Sequence, residues 1–279
     1  LEAIRSIIND KRDWADSRLL RTLCAGEPYA VPRLGDEETV DKLQALRVYD
    51  QYRQLISTAP LEIIYSGSAD LERVRLALAA AFATLPREEV RMISAAVPHV
   101  GRETVQYVED ALDVTQGKLG MGFSCGSSDM PALLMGNTLF GGSSNSKLFL
   151  NVREKLSLCY YASSAYHRQK RLITVSSGIE FQNYQKAYDE IMAQLEAVQK
   201  GELEDWELEG ARSTLLNSYA TVGDSQGKLE NFYLGQAATG RSETPADLAQ
   251  AVMEVSAERI CRAMSTVKLD TVYFLKGKE

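Results

Sequence analysis

The sequence predicts an α+β fold in which an antiparallel sheet carries helices on one face. Strand patterns follow one another along the middle of the chain, and a run of helical patterns comes after them. Strands and helices that are segregated in this way favour α+β, because regular βα alternation is what gives a parallel sheet. A segment near the start that recurs near the end further indicates two related units.

The first part of the chain predicts a strand and then a helix. Apolar residues fill Leu61 to Tyr65, and the turn-forming Ser66-Gly67-Ser68 follows them, so we predict a strand that ends in a turn. Asp70 predicts the N-cap of a helix over Leu71 to Leu85, because its carboxylate can accept hydrogen bonds from the free amides of the first turn.

Residues beyond 100 contain the patterns that define the fold class. Strands are predicted over Gln106 to Leu112, Lys118 to Cys125, Leu158 to Tyr166, Leu172 to Ser177 (broken at Gly178) and Thr271 to Leu275. Helices are predicted over Met130 to Leu139 with Pro131 in the first turn, Asn183 to Lys200 with Gly201 at its end, Glu204 to Tyr219, Gln226 to Ala238 and Pro245 to Met264. The acidic cluster from Glu202 to Glu209 fits a solvated first helical turn.

An internal repeat indicates how the chain is organised. Ser57–Tyr65 resembles Ser265–Tyr273 at an offset of 208 residues, and Leu1–Ile8 resembles Leu208–Leu215 at an offset of 207. We therefore predict two homologous units of about 200 residues each. Residues 1–88 would be the C-terminal part of a truncated first unit, and residues 89–279 the complete second unit. The alternative is that helix-to-strand junctions share such residues without a repeat.

Composition excludes several partner classes. A net charge of −7 with scattered basic residues gives no electrostatic footprint for nucleic acid. The longest apolar run, Leu76 to Ala83, is far shorter than the roughly 20 residues of a membrane-spanning helix. The first residues have neither an initiator Met nor a signal-peptide layout, so we expect a fragment. Four widely separated cysteines favour reduced thiols in a cytoplasmic protein.

The histidine content argues against a metal site in this chain. A catalytic zinc site needs three protein ligands and an open position. The sequence holds only His99 and His167, and it has no H-x-x-E-H motif. We interpret both histidines as surface or structural residues, and we expect no metal ligand and no cofactor here.

The segment from Phe140 to Tyr160 is the most informative. It reads as a helix end, a flexible Gly/Ser turn that acts as a hinge, a short helix that carries Arg153, and a strand that carries Tyr160. Ser146 is the predicted N-cap of the short helix. This arrangement can bring the Arg153 and Tyr160 side chains to one site.

The string Arg153-Glu154-Lys155-x-x-Leu158-x-Tyr160 is similar to a signature of the insulinase/pitrilysin family of zinc peptidases. In that family R-E-K-x-x-L-x-Y belongs to the half that binds no metal. The resemblance covers nearly all of residues 1–279 and is most specific at residues 139–160. Ser157 stands where the family often has Gly, and Cys159 where a small residue is common.

The resemblance implies a role in trans for Arg153 and Tyr160. In the family, the equivalent pair reaches from the metal-free half to the zinc of the other half, where the Tyr hydroxyl would stabilise the oxyanion and the Arg would hold a substrate carbonyl. Gly141, Gly142 and Ser143 would bind substrate. The chain, inactive alone, would form a heterodimer with a zinc-bearing paralogous subunit or domain and bind peptides.

The resemblance also identifies what occupies the family's metal positions. Alignment through the shared Leu139-Phe140 puts Leu133, Gly136 and Asn137 at the His, Glu and His sites of H-x-x-E-H, and none of the three can replace those residues. The cofactor expected is zinc, on the partner only.

Two other interpretations stay open. In the first, Arg153 pairs with acidic neighbours, Tyr160 is a half-buried strand aromatic, and the protein is a degenerate peptide-binding or assembly protein with no catalytic role. In the second, the chain is an unrelated α+β enzyme that uses Cys159 or a carboxylate pair.

Overall fold

Two compact units make up the chain, and the computed structural model describes residues 1–91 and 97–278 of it. The larger unit comprises Leu1–Asp36, Val97–Ala220 and Thr244–Glu279, and the smaller comprises Glu37–Ala96 and Thr221–Glu243. This division follows spatial contacts, whereas the predicted boundary between residues 88 and 89 follows the repeat. That boundary therefore stays a prediction.

Helices and strands account for most of the described residues. The helices are α1 Glu2–Ser6, α2 Lys11–Leu23, α3 Glu37–Asp41, α4 Ala45–Thr58, α5 Leu71–Phe82, α6 Met130–Asn137, α7 Tyr184–Lys200, α8 Asp205–Ala220, α9 Gln226–Ala238, α10 Pro245–Met253 and α11 Ala257–Met264. The strands are β1 Gln106–Leu112, β2 Gly117–Cys125, β3 Cys159–His167, β4 Leu172–Ile179 and β5 Val267–Gly277. Two π-helical segments, Thr138–Gly142 and Leu148–Lys155, follow α6. No helix among the described residues has the length and apolar content needed to cross a bilayer.

The five strands of the larger unit form one sheet in the order β1-β5-β2-β4-β3. The β2–β4, β3–β4 and β2–β5 pairs are antiparallel, as predicted, but β1 and β5 are parallel. Because the short connection from β1 to β2 reverses the chain, a strand inserted between them and antiparallel to β2 must run parallel to β1. The α+β class is confirmed.

Large apolar residues alternate with glycines along β2, so the large side chains lie on one face of the sheet and form part of the core there. Leu119, Met121 and Phe123 are buried in the main core with residues of α6, α7 and α11. The residues between them are glycines, and α2 packs against that opposite face. A Cβ atom at Gly122 would lie 2.7 Å from Leu23 Cδ2. The helix on the second face was not predicted, because it packs on glycines far away in the sequence.

Local signals set several helix ends. Asp70 accepts a hydrogen bond from the Arg73 amide at 2.9 Å, as predicted for the N-cap of α5. Gly201 ends α7 with φ of 78°, in the left-handed region that glycine adopts without strain. These two features confirm the sequence prediction of where each helix begins or ends.

Three predicted elements differ. The prediction of a strand over Leu61 to Tyr65 is wrong. A strand needs a hydrogen-bonded neighbour, and none of the described strands pairs with this segment. The helix over Pro245 to Met264 is two helices, since Ser256 caps α11 and breaks the run. Strand β4 continues through Gly178, where a Cβ atom would lie 2.6 Å from the Tyr161 ring.

Candidate functional site

A π-helical segment, Leu148–Lys155, carries Arg153. Ser146 Oγ accepts a long hydrogen bond (3.4 Å) from the Phe149 amide, in agreement with its predicted capping role. At the other end the Leu156 amide donates to the Asn151 carbonyl at 3.1 Å, five residues back, which is the bond that defines a π-helix.

The segment is fixed to the larger unit from both sides. Asn151 Nδ2 donates to Gln194 Oε1 of α7 at 2.8 Å. Lys147 Nζ lies 2.9 Å from Glu207 Oε1 of α8, and both side chains are buried. The prediction that Glu207 belongs to a solvated acidic turn is therefore wrong, because a cation sixty residues away in sequence neutralises it in the interior.

Ser157 connects this segment to β3 in a left-handed conformation, with φ of 49°. A non-glycine residue there costs roughly 1–2 kcal/mol, because its Cβ approaches the next carbonyl. Glycine would adopt this conformation without strain, and this chain adopts it with Ser.

Arg153 and Tyr160 line one cleft, as the spacing of the motif predicted. The cleft has a volume of about 430 Å³ and is lined by Arg153, Glu154, Ser157, Leu158, Cys159, Tyr160 and Glu180. The Tyr160 side chain is 58% exposed, so it can be reached from solvent. The structure brings the two side chains together, and their role stays a prediction.

Each of the two side chains has a partner within the chain. Arg153 Nε lies 3.6 Å from Glu154 Oε1, and its guanidinium stands 4.7 Å from the centre of the Phe149 ring. The Tyr160 hydroxyl donates to Glu180 Oε1, and this hydrogen bond raises the pKa of Tyr160. Because a phenol has a single O–H donor, Tyr160 has to leave Glu180 before it can donate to an oxyanion.

Gly141, which precedes the segment, is packed rather than hinge-like. Gly141 is buried within the π-helical turn Thr138–Gly142, and a Cβ atom there would lie 2.7 Å from the Ser164 amide nitrogen. Gly142 is exposed and Ser143 partly buried. In the described structure, the residues that line the cleft do not include Gly141, Gly142 or Ser143. Their assignment to substrate binding remains a prediction.

The positions that the resemblance aligns with the family's zinc ligands do not fit a metal. Leu133, Gly136 and Asn137 are all buried in α6. Leu133 offers no donor atom, and a side chain at Gly136 would collide with Met264. Asn137 Oδ1 already accepts from Ser164 Oγ at 2.8 Å. These three residues are packed in the core, so no step of peptide hydrolysis is assigned to this helix.

A second cluster of titratable groups lies elsewhere in the larger unit. The potential ligand atoms of Cys24, Glu27 and His99 lie within 4.8 Å of one another. His99 Nδ1 is 2.5 Å from Glu27 Oε1, and its Nε2 is 3.3 Å from Asp270 Oδ2. Sequence inspection did not find this cluster, because its members come from distant segments and share no motif.

Cations already neutralise the two carboxylates of that cluster. Lys170 Nζ contacts Glu27, and the Arg102 guanidinium contacts Asp270. Although burial alone would raise it, Lys170 and His99 hold the pKa of Glu27 below its ordinary value. Burial also raises the pKa of the Cys24 thiol to about 11. We therefore read the cluster as a buried ionic network, and His99 as a structural residue.

A thiol-based active site receives no support from the geometry. Burial raises the pKa of Cys159 to about 11, so the thiol stays protonated near neutral pH. His167 lies at the far end of the same strand, between Tyr29 Oη and Thr174 Oγ1 at 3.0 Å each. Burial lowers the pKa of His167.

Comparison with known proteins decides the family. The family model described as "Peptidase M16 inactive domain" matches residues 42–215. The chain belongs to this family. Its resemblance to the metal-free half of insulinase/pitrilysin peptidases is thereby confirmed. The cleft lined by Arg153 and Tyr160 lies within the residues that match the M16 inactive domain.

Individual relatives and solved structures are similar to nearly the whole of this chain. The chain is 34% identical over 284 residues to "Probable inactive metalloprotease YmfF" of Bacillus subtilis, and the match covers 100% of this chain and 66% of that protein. A conserved protein from Enterococcus faecalis is similar with a TM-score of 0.86 and 25% identity, over 99% of this chain and 66% of that one. A peptidase M16 inactive domain from Pseudomonas fluorescens gives a TM-score of 0.80 at 14% identity, covering 100% and 69%. The chain thus spans just under two thirds of the first relatives it matches.

Proposed function

We propose that this M16 inactive domain is the non-catalytic half of a zinc metallopeptidase, and that it supplies Arg153 and Tyr160 to a zinc site on a partner subunit or domain. The observation that carries the proposal is the cleft in which both side chains are reachable. An Arg and a Tyr in one cleft suit a peptide in its transition state, because each donates hydrogen bonds to carbonyl oxygens as their charge grows.

The zinc of such a peptidase would have to come from the partner. Leu133, Gly136 and Asn137 replace the family's ligands with packed core, which supports an inactive role for this chain by itself. We propose a heterodimer in the cytoplasm, and the free thiols of Cys24, Cys125, Cys159 and Cys261 support a reducing compartment.

The test is peptide cleavage by this chain mixed with a zinc-bearing paralogue. Tyr160→Phe removes the hydroxyl and Arg153→Ala removes the guanidinium, and each is expected to lower kcat by about 100-fold, as for the loss of one transition-state donor. The matched controls are Tyr107→Phe and Arg262→Ala, which change exposed residues away from the cleft lining. Unchanged cleavage with both cleft variants would refute the proposal.

A second candidate function is peptide binding or assembly without catalysis. The pairing of Tyr160 with Glu180 and of Arg153 with Glu154 favours it, because both donors are engaged in the free chain. In that case the chain would retain peptides in a pull-down, or form a stable complex, and the mixture with a paralogue would show no cleavage when zinc is added.

A further inference from the structure

Tyr160 lies at an irregularity in the pairing of β3 with β4. The register shifts between Cys159, which is opposite Ile179, and Tyr161, which is opposite Gly178, so Tyr160 has no residue opposite it. Irregularities of this kind bend a strand and re-aim a side chain, and they are common next to active sites. Because Tyr160 is 58% exposed, its side chain can move without disturbing the core.

Glu180 holds the Tyr160 side chain in the free chain. The Tyr160 hydroxyl donates to Glu180 Oε1, and Glu180 is partly buried directly after β4 ends. A carboxylate in such a place needs hydrogen-bond donors, and a neutral phenol is a weaker partner for it than a cation. Movement of Tyr160 away from Glu180 leaves the carboxylate without that donor. The hydroxyl therefore becomes free most easily when another donor takes its place on Glu180.

The charges that line the cleft favour a cation as that second donor. Among the lining residues, Arg153 is positive, and Glu154 and Glu180 are negative. Arg153 pairs with Glu154, with 3.6 Å between Nε and Oε1. In the part of the chain that the structure describes, no Lys or Arg side chain pairs with Glu180. Lys118 of the adjacent strand β2 donates to Gln116 instead. Glu180 is thus the carboxylate of the cleft with which a bound cation can pair.

An arginine side chain has the chemistry to replace the phenol on Glu180. Its guanidinium is always charged and presents N–H donors in a planar fork that matches the two oxygens of a carboxylate. Such charge-assisted hydrogen bonds are roughly twice as strong as those between neutral groups. The cleft volume of about 430 Å³ falls in the range of small-ligand sites, so there is room for one side chain of this size.

We propose that Glu180 binds an arginine side chain of the peptide substrate, and that this exchange of partners frees the Tyr160 hydroxyl. Glu180 then selects basic peptides, and it makes donation by Tyr160 depend on the bound substrate. The assignment rests on the proposed function, because it names the substrate class of the same cleft.

Two pentapeptides with both ends blocked test the pairing on this chain alone. One carries arginine at its centre, and the other carries citrulline, the neutral isostere of arginine. By calorimetry the arginine peptide should bind at least about 10-fold more tightly, the contribution of one charged hydrogen-bonded pair. Glu180→Gln should remove this difference. The matched control is Glu202→Gln, which removes an exposed carboxylate away from the cleft lining and should leave the difference unchanged.

The titration of Tyr160 reports its release without any cleavage. Glu180 raises the pKa of Tyr160 in the free chain. The arginine peptide should lower that pKa towards the value of an ordinary tyrosine, because a guanidinium on Glu180 offsets the negative charge next to the phenol. The citrulline peptide should leave the pKa of Tyr160 raised. NMR of the labelled tyrosine ring carbons measures both.

Cleavage in the presence of a zinc-bearing paralogue separates this proposal from the proposed function. The arginine peptide should show the higher kcat, by up to about 100-fold, which is the effect of one transition-state donor. Tyr160→Phe should abolish that difference in kcat and keep the difference in affinity. If neither peptide were cleaved, the proposed function would be refuted, and the affinities and the Tyr160 titration would still decide whether Glu180 binds the arginine.

Three results would overturn the inference about Glu180. One is equal affinity of the unmodified chain for both peptides. Another is a preference for arginine that Glu154→Gln removes and Glu180→Gln keeps, because the other carboxylate would then be the acceptor. The third is tight binding of the arginine peptide with the pKa of Tyr160 still raised, since the hydroxyl would then remain on Glu180.

Discussion

The Tyr160 hydroxyl donates to a carboxylate oxygen of Glu180, twenty residues further along the chain. This contact spans the cleft between the start of β3 and the residue that follows β4. The hydroxyl that we propose donates to a substrate is therefore held by an internal acceptor in the free chain.

Glu180→Gln should lower the pKa of Tyr160 towards that of an ordinary tyrosine. The carboxylate both accepts the phenolic proton and repels the phenolate, and the neutral amide does neither with a full charge. The pKa is measured by NMR titration of the labelled tyrosine ring carbons. The control is Glu154→Gln, in the same cleft, which should leave the pKa of Tyr160 unchanged. If Glu180→Gln also left the pKa of Tyr160 unchanged, that result would contradict the hydrogen bond between Tyr160 and Glu180.

Ser157→Gly should raise the free energy of unfolding by about 1 kcal/mol, because glycine adopts the left-handed conformation at φ of 49° without strain, a gain partly offset by the greater freedom of the unfolded chain. Urea denaturation followed by circular dichroism measures the difference. The comparison is Ser144→Gly, in the nearby exposed turn where the backbone has no positive φ, which should not stabilise.

Gly136→Ala should destabilise the protein by about 1–3 kcal/mol, the range for overpacking a dense core, because the added methyl group collides with Met264. Gly235→Ala in α9 is expected to have the opposite effect on stability. Its methyl group meets no atom within 4 Å, so it should stabilise the helix by roughly 0.5–1 kcal/mol. Thermal unfolding distinguishes the pair, and equal shifts would show that the α6 position is not tightly packed.

The buried thiols should make stability fall as the pH rises above 9. Burial raises the pKa of Cys159 to about 11 and that of Cys125 to about 12, from an ordinary value of 9.0. Above pH 9 the unfolded chain loses these protons while the folded chain keeps them, so the free energy of unfolding decreases with pH. Urea midpoints at pH 8, 9 and 10 give the slope. Cys125→Ala should reduce this slope, whereas a slope that Cys125→Ala leaves unchanged would contradict the assignment.

Sequence patterns predicted elements whose signals are local. The strand β2, the Asp70 cap and Gly201 at the end of α7 all depend on neighbours in the chain, and each was found where expected. The pairing of Lys147 with Glu207 and the meeting of Glu27 with His99 depend on the tertiary fold, so no spacing rule could identify them.

The candidate site likewise has one part that local sequence signals predicted and one part that depends on the tertiary fold. The motif predicted that Arg153 and Tyr160 would come together, because a short helix, a turn and a strand suffice to bring them to one cleft. It could not predict Glu180 as the acceptor of the Tyr160 proton. That residue reaches the cleft only through the pairing of β3 with β4.

The position of β5 determines when this sheet can be completed during synthesis. Strand β5, which lies between β1 and β2, is the last of the described strands to leave the ribosome, more than 150 residues after β1, and β1 contacts the described sheet only through it. Until β5 arrives, β1 has no partner and one edge of β2 is open. Non-local pairing of this kind slows folding and exposes nascent strands to aggregation. A translation arrest just before Val267 would therefore leave β1 detached from the paired strands β2, β4 and β3, with the β2 edge open to association with other chains.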